Sequence, residues 1–440
     1  MRCQRFTLYA LLFSVGLCGL ALPVAHAGGA ANTPPSGGMT LAEALTHAAR
    51  NRPEIAAYGA DSDAAALKLK HAGQPPNPEL GLEWDNLGGN LPEGDARETT
   101  LSLNQPVEIG GKPVARKNRG HAEMLRLRHE QATVWLDIAA EVRMAFLEVL
   151  GARERLTLQQ EAERIASELA ALTHERVAAG ELAATEEIRA EARKAETMAE
   201  TQKQQRLLAE AELGLALVLV EPDAVTVSAA GQLPLEVTIP ERQAVLAGIQ
   251  ESPQLTLRRS EKEVAATGLA LEQANAWSDP SLSLAVREIS GQEARAVAVG
   301  FSIPLPFFQR NQSALAEASA TVRKAKTNEE AAARRLKTER IKAHAMLVAA
   351  DHEARTLRNE VLSRAAEAAE AVREGFRAGK FRYSDVLEAS HSLVTVKARH
   401  LDAIIDLNRA AIVLDQLLGR PALPEISPNS SSLSPDRSNP

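Results

Sequence analysis

The chain has 440 residues, a formal net charge of −7 at pH 7 and only 3% aromatic residues. An acidic chain is a poor partner for nucleic acid, and abundant Ala, Glu, Leu and Arg indicate long helices packed through small side chains. Both cysteines, Cys3 and Cys18, lie in an N-terminal segment that we expect to be removed. The exported chain is therefore predicted to have neither disulfide nor thiolate chemistry.

Residues 1–27 have the features of a secretory signal peptide. Arg2 and Arg5 precede a mostly apolar run, and Ala25-His26-Ala27 fits a small-x-small cleavage site. Residues 28–39 are rich in Gly, Pro and Ala, which predicts a flexible lead. Downstream, no stretch reaches the ~20 consecutive apolar residues that a membrane helix needs.

From residue 40 onward the sequence contains an internal repeat, with an offset of about 200 residues between its two copies. Five short motifs recur in the same order. They begin at residues 52, 77, 101, 179 and 219, and their counterparts begin at residues 252, 279, 301, 378 and 418. This predicts two repeats of one architecture, residues 40–222 and 238–421, joined by a linker at 223–237. The Ser- and Pro-rich tail, residues 422–440, is predicted to be disordered.

Each repeat is expected to open with a helix. Thr40 with Glu43, and Thr238 with Glu241, have the spacing of a capping box at a helix start. The first helix is predicted over residues 41–73, with an interruption near Pro53, and its counterpart over residues 240–275.

A period of two follows in both repeats. Leu80, Leu82 and Trp84 alternate with polar or small residues, which predicts a β-hairpin at 79–104, and a matching pattern predicts one at 281–303. The strand length suits a tilted membrane crossing of ~9–11 residues, and the second face is polar, as in a wet lumen. An ordinary hairpin resting on a helical core is the alternative.

Two long helices complete each repeat. They are predicted at 112–178 and 184–220, and again at 312–376 and 384–418. Residues Ile138, Val142, Ala145, Val149, Ala152 and Leu156 form a heptad-like seam. Because four strands cannot close into a pore and open edges in lipid leave backbone groups unsatisfied, several copies are expected to share one barrel.

Two stretches carry a family resemblance: residues 105–112 (Gln-Pro-Val-Glu-Ile-Gly-Gly-Lys) and residues 304–312 (Pro-Leu-Pro-Phe-Phe-Gln-Arg-Asn-Gln). With the duplicated layout, they make residues 40–421 resemble the TolC-like outer membrane factors. Within that family the chain resembles the outer-membrane subunits of heavy-metal cation (CzcC-like) efflux systems.

The resemblance implies a mainly α fold with a membrane β-barrel portion. A homotrimer in the outer membrane of a Gram-negative bacterium would share one twelve-stranded barrel, with four strands from each chain. A helical tunnel would extend far into the periplasm. The implied partners are outer-membrane lipid, a periplasmic adaptor (membrane fusion protein) and an inner-membrane RND pump.

The tips of the helical hairpins hold the candidate site. Asp385 and Glu388 share one helix face, and a three-fold assembly would turn each into a carboxylate ring that favours cations. The resemblance implies that these residues and Glu186 narrow the periplasmic entrance as a gate. Capping of the helix starts is the alternative role for acidic residues in these positions.

The same tips are the candidate adaptor-docking surface. It comprises Gly180, Glu181 and Leu182 in the first repeat, and Gly379, Lys380 and Phe381 in the second. Both glycines are expected to end their helices. The family's latch arginine aligns with Phe381, which leaves a salt-bridged lock unsupported, and the neighbouring Arg382 is the candidate replacement.

No catalytic constellation, cofactor or metal site is predicted. His344 and His352 would lie about 12 Å apart along a helix, too far to chelate one ion. We therefore expect a passive exit duct for metal cations, not an enzyme, with the energy supplied by the pump. Two alternatives stay open: the same duct serving drug efflux or type I protein secretion, and a soluble periplasmic coiled-coil adaptor or scaffold.

Overall fold

The computed structural model describes residues 38–85, 87, 97–220, 227–289 and 294–420. The predicted signal peptide at 1–27, nearly all of the predicted lead, and the tail at 422–440 lie outside the described residues. So does the beginning of the predicted linker.

The first repeat begins with two short helices. Helix α1 (Leu41–Asn51) and helix α2 (Pro53–His71) are separated by Arg52, whose extended backbone suits a residue before proline. The predicted capping box is confirmed. The Thr40 N–H donates to the Glu43 carboxylate at 2.8 Å, and the Glu43 N–H donates to the Thr40 hydroxyl at 3.3 Å.

One antiparallel sheet contains four strands in the order β1-β2-β3-β4. The strands are β1 (Glu79–Asp85), β2 (Glu98–Pro106), β3 (Ser281–Ile289) and β4 (Ala294–Ser302). The central pair, β2 with β3, joins the two repeats, with Leu103 opposite Leu284. Strands β1 and β4 are therefore the two edges of the sheet within one chain.

The first long hairpin has the predicted form. Helix α3 (Lys112–Ala178) is an unbroken helix of 67 residues, about 100 Å long at ~1.5 Å per residue. Helix α4 (Ala184–Val218) follows it. Four residues of the predicted seam, Ile138, Val142, Val149 and Ala152, are buried.

The second repeat opens differently from the prediction. The capping box at Thr238 and Glu241 is wrong, because the first helix, α5, spans only Arg242–Leu246 and has no side-chain cap. Ile239 precedes Pro240, and a residue before proline is driven out of the helical region. The helix predicted over 240–275 is interrupted where its counterpart is interrupted near Pro53, because α6 (Pro253–Asn275) starts anew, with Ser252 as its N-cap.

The long rod of the second repeat, which is the counterpart of α3, departs from a simple helix. Helix α7 (Gln312–Thr356) passes through a π-helical turn (Leu357–Leu362) into α8 (Ser363–Arg377), and α9 (Tyr383–Leu418) returns. The continuous α-helix predicted over 312–376 is therefore wrong at this turn. Neither proline nor glycine occurs there, so no local signal marks it, and the first rod has no such turn.

Two arginines secure the returning helices in different ways. In repeat 1, Arg52 donates to the carbonyl of Val218 at 3.0 Å and pairs with Glu141 at 2.7 Å. In repeat 2, Arg340 is 1% exposed and donates to the carbonyl of Leu417 at 3.1 Å. Cations suit these positions because the carbonyls at a helix C-terminus carry partial negative charge.

Three apolar clusters hold the described residues together. The largest combines α1, α3, α4 and α9 with residues 227–233, a second joins α7 to α9, and a third lies at the hairpin tips. No helix in the described ranges is both long enough and apolar enough to cross a membrane.

Candidate functional site at the hairpin tips

The two rods, α3 in the first repeat and α7 to α8 in the second, end in the same kind of turn. Gly180 and Gly379 have φ angles of +78° and +73°. The N–H of the next residue reaches back to a carbonyl at the end of the rod, at 2.9 Å in the first tip and 2.8 Å in the second. This Schellman cap needs a left-handed residue, which glycine adopts without a steric penalty. The predicted C-cap role of both glycines is confirmed.

The tips pack against each other through a small apolar core. Phe376 at the end of α8 and Tyr383 at the start of α9 are 1% and 2% exposed, and their ring centroids lie 6.4 Å apart. Val386 joins them, and Leu169 and Ala190 complete the core from the first hairpin. The two hairpins of one chain are therefore docked at their far ends.

Arg176 links the hairpins across this core. Its guanidinium lies 4.5 Å from the centroid of the Phe376 ring, a cation–π distance. It also donates to the carbonyls of Phe376 and Arg377, at 3.1 and 3.3 Å. Because these are the terminal carbonyls of α8, one cation from the first repeat caps a helix of the second. The sequence shows only an arginine near a helix end, and the cross-hairpin contact was not predicted.

The three predicted gate carboxylates lie at the starts of α4 and α9. Asp385 accepts a hydrogen bond from the Arg382 backbone N–H at 2.9 Å, so it caps α9. Glu388 lies one turn further along and is exposed. Glu186 is half-buried and pairs with Arg189, one turn away on α4, at 3.0 Å.

An open groove of about 460 Å³ brings two of the three together. Glu186 and Glu388 line it with Arg189 and His391, whereas Asp385 is not among the lining residues. Burial raises the pKa of the Tyr383 hydroxyl, and the nearby Glu186 carboxylate raises it further. Two acidic side chains from different repeats therefore face one concave surface.

The predicted docking residues differ in accessibility. Glu181 and Lys380 are exposed and Leu182 is half-buried. Phe381 is 45% exposed, and its ring rests on Gly375 so closely that an added Cβ at Gly375 would lie 2.2 Å from it. Arg382, the candidate latch residue, is exposed and forms no ion pair with any described residue.

A histidine near the first tip has a carboxylate partner. His174 on α3 lies 2.6 Å from Glu187 on α4, measured from Nδ1 to Oε1. The hydrogen bond to Glu187 and then its charge raise the pKa of His174, with smaller contributions from Glu175 and Glu191. The α3–α4 contact therefore favours the protonated form of this exposed histidine.

The sheet has one apolar face that no described residue covers. Its large side chains include Leu80 and Trp84 on β1, which are 74% and 53% exposed, and Val299 and Phe301 on β4, which are 81% and 66% exposed. The opposite face has small or polar residues such as Gly81, Ser102 and Ala298 at paired positions. Period-two alternation produces this division.

Within the described ranges, no three His, Cys, Asp or Glu side chains are grouped closely enough to hold a metal ion. His344 instead contacts the carbonyl of Pro240 through Nε2, at 2.9 Å. Burial lowers the pKa of His400, and Arg358 adds to this effect.

A protein-family model described as "Outer membrane efflux protein" matches residues 44–219 and 249–420. The chain belongs to the outer membrane efflux protein family. The members are outer-membrane ducts, and the two matched stretches correspond to the two repeats.

Individual relatives agree with this family. The cobalt-zinc-cadmium resistance protein CzcC of Cupriavidus metallidurans is 29% identical over 388 residues, which cover 88% of this chain and 91% of that protein. The nickel and cobalt resistance protein CnrC of the same organism is 26% identical over 278 residues, 63% of each chain.

The solved structure of the outer membrane protein VceC from Vibrio cholerae has the same fold. Its TM-score is 0.69 at 20% identity, and the match covers 86% of this chain and 96% of VceC. The described fold, mainly helical with one small sheet, is that of the TolC-like outer membrane channels.

Proposed function

We propose that this family member is the exit duct of a tripartite efflux system and passively conducts heavy-metal cations from the periplasm to the exterior. The sheet carries the proposal, because its uncovered apolar face suits lipid and its small, polar face suits a wet channel. The names of CzcC and CnrC, both metal-resistance proteins, favour metal cations as the cargo.

The duct is a homotrimer. One chain supplies four strands with two free edges, and a sheet in lipid must close to satisfy its backbone groups. Three copies give a twelve-stranded barrel, and their rods, each about 100 Å long, form a tunnel that extends into the periplasm.

The tips receive the partners. The exposed residues beside Gly180 and Gly379 are the surface for a periplasmic adaptor, and through the adaptor for an inner-membrane RND pump. Glu186, Asp385 and Glu388 lie at the same end of each chain. In a three-fold assembly they form carboxylate rings, which favour cations and disfavour anions at the entrance.

A deletion strain tests the cargo. We expect it to become sensitive to Zn²⁺, Co²⁺ and Cd²⁺ and to keep its tolerance of a drug panel, with tolerance restored by the wild-type gene. Sensitivity to drugs alone would reject the metal cargo in favour of drug efflux. Outer-membrane fractionation and heat-modifiable migration of the protein separate a duct from a soluble periplasmic scaffold.

Charge-only variants test the gate. In planar bilayers we expect Asp385→Asn with Glu388→Gln to weaken cation preference, because the carboxylate charge is lost while side-chain size is kept. Asp385→Ala with Glu388→Ala should also raise the conductance. Glu330→Gln, which neutralises an exposed carboxylate on α7 away from the tips, is the matched control. Unchanged selectivity in both double variants would reduce Asp385 to its capping role.

A further inference from the structure

The junction between strand β2 and rod α3 is held by the other repeat of the same chain. The Val107 N–H donates to the carbonyl of Pro280 at 2.8 Å, and the Ile109 N–H donates to the Asp279 carboxylate at 3.0 Å. The ammonium of Lys112 reaches the same carboxylate at 2.6 Å. These contacts continue the β2–β3 pairing past the end of the strands.

The residues on both sides of this contact are shielded from solvent. Lys112 is buried, and Asp279 and Pro280 are half-buried. Arg116 adds a second layer, because it pairs with Glu108 and donates to the carbonyl of Ala72 at 2.8 Å. The first strand-to-rod junction is therefore a closed, charged contact inside one chain.

The second repeat contains both halves of the same contact, but they do not meet. Asn311 is the N-cap of α7 with φ of +57°, as Gly111 is the N-cap of α3 with φ of +76°, so the two junctions share a left-handed turn. The whole segment 301–310 is exposed, and Phe307 and Phe308 are 70% and 96% exposed. Asn77 and Pro78, the counterparts of Asp279 and Pro280, are also exposed.

The charges of the first contact are absent from the second. The positions of Glu108, Lys112 and Arg116 are occupied by Phe308, Gln312 and Ala316. Asp279 has Asn77 as its counterpart. Both partners of the ion pair are thus replaced by amides, Asn77 and Gln312, and two amides can donate hydrogen bonds to and accept them from each other.

We infer that residues 305–312 dock on Asn77 and Pro78 of a second copy of this chain, with Gln312 beside the partner copy's Asn77. The free edges support this occupant, because pairing β4 with β1 of a neighbour repeats the arrangement that β2 and β3 have within one chain. The uncovered phenylalanines then lie between subunits. The inference rests on the shared barrel proposed above, and it assigns the residues that lock the subunits together.

Engineered cysteines test the contact in the exported chain, because its own two cysteines, Cys3 and Cys18, are expected to leave with the signal peptide. Phe307→Cys with Pro78→Cys should give disulfide-linked dimers and trimers on oxidation. Val107→Cys with Pro280→Cys is the matched control, because it has the same geometry within one chain and should give only an internal disulfide. Each single cysteine variant should stay uncrosslinked.

A charge exchange gives a second, independent measurement. Asn77→Asp and Gln312→Lys should each lower the fraction of trimer that survives denaturant by roughly tenfold or more, because each places an unpaired charge in a covered contact. The double variant recreates the Lys112–Asp279 pair between subunits and should restore the trimer. Additive losses in the double variant would overturn the inference.

Native mass spectrometry of each sample separates the possible failures. A trimer without crosslinks between Phe307→Cys and Pro78→Cys would overturn this contact and leave the duct intact, with the phenylalanines then facing lipid. A detergent-extracted monomer would overturn the shared barrel together with the contact.

Discussion

Removing the Arg176 side chain should release the second hairpin from the first at the tips. The structure gives four contacts that Arg176→Ala would delete: the cation–π contact with Phe376, two hydrogen bonds to the terminal carbonyls of α8, and a long ion pair with the exposed Glu181 at 3.8 Å. A partly buried cation–π contact stabilises by about 1–2 kcal/mol, and hydrogen bonds from a charged donor by about 1.5–3 kcal/mol each. Because such contributions are not additive and 18% of the Arg176 side chain is exposed, we expect a total of about 2–4 kcal/mol.

The loss of that free energy can be measured through the solvent exposure of the apolar core at the tips. A cysteine at position 386, where Val386 is 1% exposed, reports separation of the hairpins by its rate of thiol labelling. If the hairpins must separate before the thiol can be labelled, Arg176→Ala should raise the labelling rate by roughly 30-fold to several hundred-fold. Each 1.4 kcal/mol corresponds to a factor of about ten. Arg176→Lys should recover only part of the loss, because an ammonium lacks the planar fork of guanidinium.

Arg189→Ala is the matched control at the same end of the molecule. Arg189 is 67% exposed and pairs with Glu186 within α4, and a surface pair of this kind contributes about 0–1 kcal/mol. Labelling at position 386 should therefore change little. Equal labelling rates for Arg176→Ala and the parent chain would refute the view that Arg176 holds the hairpins together.

Two further predictions concern other arginine and histidine contacts. Arg340→Leu should lower the free energy of unfolding by about 2–4 kcal/mol in denaturant titrations, because it leaves buried carbonyls of Leu417 and Val245 without a donor; a loss no larger than that of the exposed Arg335→Ala would contradict it. For His174, the pKa is raised in the folded state by Glu187, so the stabilisation is present below the ordinary pKa of about 6.5 and is lost as pH rises through the raised value. NMR titration should show the raised pKa in the parent chain and its fall in Glu187→Gln, and identical titration curves would contradict this assignment.

Much of the fold could be predicted because its signals are local. The period of two in Leu80, Leu82 and Trp84 sets a strand and its apolar face. The left-handed turn at Gly180 ends α3 where the sequence places it. Where the local pattern was ambiguous the prediction was wrong, as at Thr238, because the restriction imposed by Pro240 outweighs the capping motif.

The candidate site was only partly predictable. Sequence spacing puts Asp385 and Glu388 on one helix face, but it cannot show that Asp385 turns back to the Arg382 N–H. It also cannot show that Glu186 and Glu388 line one groove, because they belong to different repeats. Their proximity depends on how the hairpins pack.

The sequence by itself determined the duplication, the long helices, the alternating strands and the family of this protein. These follow from periodicity, glycine and proline positions and recurring motifs, which act over a few residues or recur at a fixed offset. Only the tertiary structure decided which residues of the two repeats meet. Arg176 with Phe376, and Lys112 with Asp279, lie far apart in the chain, and packing alone selects such pairs. Packing also left the corresponding surface at Phe308 uncovered.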